Sequence, residues 1–334
     1  MSGLIDRLVK KATESPKRVA LPECDAPNTL LAAEQILRQG VGYPVLIGSI
    51  SVIEDAAAQA GVPLEGMDIE DIEDEAVADA LIDRYMESGE KLLSAKSYRR
   101  KIKDPVYYAM VLEAVGDVDV TFCGHTNTTG DVLMAAQNVI GLQEGVDVPS
   151  IFALLETPGF EGPEGDTIVF TDCGLNPEPT AGQLASIAIA SCDNISALLG
   201  WEPRAAFLSF STDGSGSSAS TELIKEALAI AHNRRPDLKI DGEFQLDTAI
   251  DPKVAAGKLK RHSDVAGRAN ILVFPDLDAA NIAIKLVQRF AGGSGYGHTL
   301  SGFKKPVADS SRGATVEEMV GDIAMLVIAA SGAE

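Results

Sequence analysis

Arg18-Val19-Ala20-Leu21-Pro22, followed by a helical pattern over residues 28–38 and then by Tyr43-Pro44-Val45-Leu46-Ile47-Gly48, is the stretch that decides the fold class. Short apolar runs on either side of a longer amphipathic segment give the strand–helix–strand rhythm of a parallel sheet. The rhythm returns at Val118-Asp119-Val120-Thr121-Phe122 with a helical segment over 131–140. It recurs at 205–209 followed by a helix over 220–232, and at Ile271-Leu272-Val273-Phe274 followed by a helix over 279–290. Strand-like residues 151–155 and 167–171 enclose a loop rich in Gly and Pro, so this pair reads as antiparallel. The chain is α/β, with no internal repeat of fixed period.

At 334 residues the chain is long enough for two domains, because single cores stop growing at roughly 250–300 residues. Hydrophobic residues make up 46% and charged residues 23%, an ordinary globular composition. A net charge of -21 disfavours binding to a nucleic-acid backbone or an anionic membrane, so a phosphorylated ligand must find local positive charge. Two runs could supply it, Lys96, Arg99, Arg100, Lys101 and Lys103, and then Lys258, Lys260, Arg261 and His262. Each reads equally as a solvated face balancing acidic neighbours. The acidic run Asp68-Ile69-Glu70-Asp71-Ile72-Glu73-Asp74-Glu75 reads as a solvated linker or a helix start. Cys24, Cys123, Cys173 and Cys192 show neither a disulfide framework nor metal-binding spacing, and no metal site is expected. Leu4, Leu8 and Lys11 lie at helical spacing in a short amphipathic helix, not an export signal. No apolar run reaches the roughly 18 residues of a membrane span, and a cytoplasmic protein is expected.

Near the C-terminus, Lys304-Lys305-Pro306-Val307-Ala308-Asp309-Ser310-Ser311-Arg312-Gly313 feeds an apolar helix. A Ser-Arg-Gly turn at a helix start gathers a hydroxyl, a guanidinium and unpaired backbone amides. The amides and the helix dipole favour an anion, and the planar fork of Arg312 suits phosphate oxygens. A helix cap beside a surface arginine would have the same sequence.

The motifs extend along nearly the whole chain. They include Val19-Ala20-Leu21-Pro22-Glu23, Asp104-Pro105-Val106-Tyr107-Tyr108, Thr171-Asp172-Cys173-Gly174-Leu175-Asn176-Pro177 and Ser209-Phe210-Ser211-Thr212-Asp213-Gly214-Ser215. Further on come Ile240-Asp241-Gly242-Glu243-Phe244-Gln245-Leu246-Asp247, Val265-Ala266-Gly267-Arg268-Ala269-Asn270 and Phe274-Pro275-Asp276-Leu277. With the Ser-Arg-Gly segment in the same order, the chain resembles the phosphotransacetylases, which move an acyl group between coenzyme A and inorganic phosphate. The resemblance implies a two-domain fold like that of the isocitrate and isopropylmalate dehydrogenases, with a ligand cleft between domains. Residues 1–144 and 299–334 would form a discontinuous first domain, and residues 145–298 a second domain carrying dimerisation. It further implies a homodimer, coenzyme A, phosphate and acyl phosphate as small-molecule partners, and no cofactor, coenzyme A being a substrate.

The expected reaction interconverts acetyl-CoA and phosphate with acetyl phosphate and coenzyme A by direct thiolate attack in a ternary complex. Propanoyl or butyryl specificity is the alternative within the class, and a degenerate paralogue that binds acyl phosphate or coenzyme A without turnover is the alternative outside it. A thiol near pKa 8.5 is only about 3% ionised at pH 7, so a base is useful, and the expelled phosphate needs donors and a cation. The resemblance assigns Ser311 and Arg312 to the phosphate and reacting acyl end, and Glu318 to the base position. Thr315-Val316-Glu317-Glu318 is also a capping-box pattern in which Glu318 would fold back on Thr315. Substrate contacts are expected from Gly313, from Cys123, Gly124, Thr128 and Thr129 in the turn after residues 118–122, and from Tyr296 as a lid. Cys123 with His125 as base offers a nucleophilic alternative, and His298 falls near the expected cleft. Where the resembled family carries an arginine five residues beyond the hydroxyl pair, this chain has Met134, for which Arg99 or Arg100 could substitute.

Overall fold

Strand Lys17–Leu21 lies parallel to strand Gly42–Gly48, Lys17 opposite Gly42 and Leu21 opposite Leu46, with helix Pro27–Gln39 between them in sequence. The rhythm of residues 18–48 therefore builds one half of a parallel sheet. This computed structural model describes residues 3–89, 91–297 and 299–332, and His298 lies outside them. The chain divides into two units, residues 3–142 with 299–332 and residues 143–297.

In the first unit the strands run in the order Asp68–Asp71, Gly42–Gly48, Lys17–Leu21, Val120–Cys123, Val307–Asp309 and Thr299–Ser301. All neighbours are parallel except the last pair. Helix Val316–Ser331 packs on this sheet and on helices Gly3–Ala12 and Pro27–Gln39, burying every residue from Met319 to Ile328. An apolar helix with no polar face is stable only when covered on all sides, which this position provides. The Asp104-Pro105 motif starts helix Pro105–Val115: Asp104 caps it through the Val106 amide at 2.8 Å, Pro105 occupies its first turn, and Gly116 ends it at a φ of 89°.

The acidic run departs from its sequence reading. Residues Asp68–Asp71 form an edge strand beside Gly42–Gly48, and only Asp74 acts as a helix start, capping Glu75–Glu87 through the amides of Ala76 and Val77. An edge strand needs only one hydrogen-bonding side, and here its acidic residues find partners, Asp68 in Arg18 and half-buried Glu70 in the Tyr108 hydroxyl at 3.4 Å.

The second unit orders its strands Ser150–Glu156, Thr167–Thr171, Ile271–Val273, Arg204–Leu208 and Lys239–Phe244, with Ser294–Tyr296 antiparallel to the first of them. The antiparallel pair read at 151–171 is present, Phe152 opposite Thr171. Buried Asp172 gathers the turn after it, accepting from the amides of Ile151 at 3.0 Å, Gly174 at 3.1 Å and Asn176 at 2.8 Å. Among the described residues no helix is long and apolar enough to cross a membrane.

Candidate active site

Parallel strands deliver their chain ends to one edge, and there the first unit gathers three turns. Strand Lys17–Leu21 runs into Pro22-Glu23, strand Val120–Cys123 into Gly124-His125-Thr126-Asn127, and strand Val307–Asp309 into Ser310-Ser311-Arg312-Gly313. The second and third turns are tied directly, because Asp309 sits opposite Cys123 and the Ser310 amide donates to the Cys123 carbonyl at 2.7 Å. Gly124 makes this approach possible. Its φ is 92°, and a Cβ there would lie 2.3 Å from Asp309 Oδ1 and 2.7 Å from the Ser310 nitrogen. Backbone at this separation leaves no room for a side chain.

Glu23 joins the first turn to the second. Its Oε2 accepts from the His125 amide at 2.8 Å, while Oε1 accepts from the amides of Thr126 at 3.0 Å and Asn127 at 2.7 Å and from Asn127 Nδ2 at 2.8 Å. The carboxylate is buried and fixes the loop through charge-assisted bonds. Across the turns, His125 Nδ1 lies 3.3 Å from the Ser311 carbonyl.

The Ser311-Arg312-Gly313 turn is exposed, and Arg312 has no ion pair among the described residues. Many other arginines of this acidic chain are paired, including Arg18, Arg84, Arg204, Arg235 and Arg261. Ser311 Oγ accepts from the Gly313 amide at 3.3 Å, which leaves its hydroxyl proton free to donate. Ser310 is buried beneath it, and its Oγ has no hydrogen-bond partner. Helix Val316–Ser331 then begins with a complete capping box: Thr315 Oγ1 accepts from the Glu318 amide at 3.2 Å, and Glu318 Oε2 accepts from the Thr315 amide at 2.8 Å and from its hydroxyl at 2.9 Å. The capping reading of Glu318 therefore holds for Oε2, while Oε1 has no partner among the described residues.

The structure decides between the readings that the sequence left open at Cys123 and at the basic residues. The Cys123 thiol is fully buried, points to the Ala308 carbonyl at 3.4 Å, and is pushed well above the ordinary thiol range by that burial. It cannot serve as a nucleophile with His125, whose ring turns to the Ser311 carbonyl instead; Cys123 contributes its backbone carbonyl. Arg99 does not replace the missing arginine either, because Asp79 and Asp83 hold its guanidinium. Lys103 and Arg261 are likewise engaged, with Glu75 and with Asp213 and Asp241. Met134 itself is uncharged and 54% exposed, and Arg100 is exposed on helix Ala95–Lys101 with no ion pair among the described residues.

Thr128 caps helix Thr129–Val139, accepting from the Asp131 amide at 3.2 Å and donating to its carboxylate at 2.7 Å, and Thr129 is exposed in the first turn. Tyr296 is half-buried on the second unit's strand Ser294–Tyr296, opposite Leu154. Sequence reasoning gave Glu23 and Asp309 no role. The available signal for Glu23 was an acidic residue directly after a strand, at the sheet edge where ligands bind.

A hydroxyl, an unpaired guanidinium and a helix N-terminus at the carboxyl edge of a parallel sheet define a phosphate-handling α/β enzyme. Comparison with known proteins makes this specific. Residues 3–327 match the profile of the phosphate acetyl/butaryl transferases, and the chain belongs to that family. It is 37% identical over 329 residues to a phosphate acetyltransferase of Acetivibrio thermocellus, covering 98% of each chain. It is 38% identical over 324 residues to the phosphate acetyltransferase of Escherichia coli, covering 96% of this chain and 44% of that protein. Its fold superposes on the EutD phosphotransacetylase of Staphylococcus aureus with a TM-score of 0.88 at 27% identity, over 98% of this chain and 99% of that one. A 4-hydroxythreonine-4-phosphate dehydrogenase from Klebsiella pneumoniae shares the fold at a TM-score of 0.55 and 12% identity, over 94% and 98% of the two chains, consistent with the dehydrogenase-like architecture.

Proposed function

We propose that this chain interconverts acetyl-CoA and phosphate with acetyl phosphate and coenzyme A. The observation that carries the reading is the Ser311-Arg312-Gly313 turn, locked against Gly124 and presenting an unpaired guanidinium within a chain that matches the family from end to end. In the thioester-forming direction the coenzyme A sulfur attacks the acetyl carbonyl, the new carbon–sulfur bond forms, and the bond from carbon to the phosphate oxygen breaks. The thiol proton passes to Glu318 Oε1, since Oε2 is held by Thr315. Arg312 takes the charge of the leaving phosphate through two parallel hydrogen bonds, and the Ser311 hydroxyl donates to an oxygen at the reacting end. Thr129, exposed in the first turn of its helix, supplies a hydroxyl donor to the substrates; Thr128 holds that turn through Asp131, and Gly313, having no side chain, leaves the approach to Ser311 open. Atoms and charge balance without a redox or metal cofactor, and none is assigned; coenzyme A is a substrate.

Helix Leu277–Phe290 exposes Ile282, Leu286 and Phe290 at four-residue intervals, Phe290 at 86%. Such a stripe is self-complementary across a two-fold axis, and it supports a homodimer with a second copy of this chain as the occupant. Phe290→Glu should shift the protein to monomer in analytical ultracentrifugation; an unchanged dimer places the interface elsewhere. A cytoplasmic location accords with the substrates.

The test of function is thioester formation from coenzyme A with acetyl, propanoyl and butyryl phosphate in turn. Fastest turnover on acetyl phosphate supports the reading, and preference for a longer acyl phosphate moves it within the class. Met134, in place of a cation, favours one other reading, a protein that binds acyl phosphate or coenzyme A without turnover. Binding of acetyl phosphate with no thioester from any of the three would establish that reading and remove the enzyme.

A further inference from the structure

The first unit holds a cavity of about 990 Å3 at the opposite end of its sheet from the Ser311-Arg312 turn. Strand Val307–Asp309 runs toward Ser311, so Lys304 and Lys305, just before it, lie at the other edge. The residues that end helix Thr129–Val139, and Ala114 near the end of helix Pro105–Val115, line the same cavity. Among the described residues its walls carry Lys91, Lys304 and Lys305 and not one carboxylate. In a chain with 49 acidic and 28 basic residues, three lysines gathered around one cavity require an explanation.

Part of it is structural. Lys305 Nζ donates to the Glu113 carbonyl at 2.5 Å, a cation placed at the carbonyl end of a helix. The other two ammonium groups have no such task. Lys91 Nζ lies 4.1 Å above the Tyr85 ring and donates to Ser88 Oγ at 2.9 Å, and Lys304 Nζ has no ion pair among the described residues. Burial, and secondarily the positive charge of Lys304, push the Lys91 ammonium below its usual range. Two cations lining one cavity, with no ion pair to either among the described residues, raise the free energy of the empty cavity, and a multiply charged anion would relieve it.

We propose that this cavity is a second anion site, which binds a small, multiply charged phosphate compound between Lys91 and Lys304. Lys305 extends the positive wall, and the side-chain amide of Gln137 offers a neutral donor. A monoanion would leave one ammonium unmatched, so a pyrophosphate or a dianionic phosphate ester is preferred over chloride or acetate. The site shares no residue with the Ser311-Arg312 turn, and its occupation does not depend on turnover.

Calorimetric titration of the full chain with inorganic pyrophosphate tests this, in an Arg312→Ala background that disables the catalytic anion site. A single pyrophosphate should still bind per chain. Replacing both lysines, Lys91→Gln with Lys304→Gln, should weaken it by about tenfold or more, whereas Lys91→Arg with Lys304→Arg should keep it. Sodium chloride at matched ionic strength should not produce the same heat. Equal binding by all three proteins, no binding to the Arg312→Ala chain, or loss in the arginine pair as well would overturn the proposal.

Discussion

Gly124 and Asp309 approach so closely that a single methyl group on Gly124 would sit 2.3 Å from the Asp309 carboxylate. This contact sets the spacing between the Gly124 turn and the Ser311-Arg312 turn, because the Ser310 amide is bonded to the Cys123 carbonyl in the same place. Gly124→Ala must therefore push the turns apart as well as strain a backbone at positive φ. We expect a stability loss of about 2–4 kcal/mol, from the left-handed conformation and the overpacking together. Catalytic efficiency should fall further than stability alone accounts for, by about 10²-fold, since misplacement by an ångström is costly to a preorganised site. Unfolding curves and steady-state kinetics on the same preparation separate the two effects, and an alanine variant with native activity would show that the spacing does not matter.

Glu23 is a positioning residue, acting through the amides of His125, Thr126 and Asn127. Glu23→Gln keeps the size and one acceptor oxygen but turns an amide donor toward the His125 N–H. A stability loss of about 1–3 kcal/mol is expected from one unsatisfied donor and the lost charge. A purely structural role would lower the melting temperature and leave kinetics at low temperature intact. The account instead expects kcat to fall about tenfold or more in fully folded protein, with KM for acetyl phosphate rising.

Glu318 separates capping from proton transfer, because its two oxygens have different surroundings. Glu318→Gln retains an acceptor for the Thr315 amide, so thermal stability should change little. Turnover should fall by about 10²-fold if Oε1 removes the thiol proton. Unaltered turnover with a native melting temperature would reduce Glu318 to a cap.

Glu113 gives the protein a pH dependence unrelated to catalysis. Its carboxyl is wholly buried, with Thr121 Oγ1 donating to Oε2 at 2.6 Å, and burial raises its pKa to about 8. The folded state therefore binds a proton that the unfolded chain releases near its ordinary carboxylate pKa. This contribution is fully present below that value, is lost progressively as pH rises, and is gone above about 8. Melting temperatures between about pH 5 and pH 8 should show a downward component that Glu113→Gln removes. An identical slope in the variant would contradict the assignment.

Much of this molecule was readable in its sequence. The strand cores at 19–21, 44–47 and 205–208 were legible because they are covered on both faces and continuously apolar. Strand Asp68–Asp71 was not, since an acidic edge strand that is only partly buried lacks that signature. The Ser311-Arg312-Gly313 turn and the capping box after it could be read because both depend on residues within a few positions of each other. The roles of Glu23 and Gly124 depend on partners far along the chain. Glu23 holds amides 102 to 104 residues away, and Gly124 is constrained by Asp309, so neither requirement leaves a local trace. The sequence left Cys123 open between two readings for a related reason: a thiol beside a ligand-binding turn and a thiol in the core have the same neighbours in sequence, and only burial distinguishes them.

Arg312, which has no ion pair among the described residues, is proposed to neutralise the leaving phosphate. The most direct test of this role is the rate of thioester formation from coenzyme A and acetyl phosphate by the wild-type chain and by Arg312→Ala and Arg312→Lys. Turnover by the wild type is expected, with a loss of about 10²-fold or more in kcat/KM for Arg312→Ala at an unchanged melting temperature. Arg312→Lys should recover only part of that loss, because an ammonium cannot make the two parallel bonds of a guanidinium. Full activity in Arg312→Ala, or no thioester from the wild-type chain with any acyl phosphate, would contradict it.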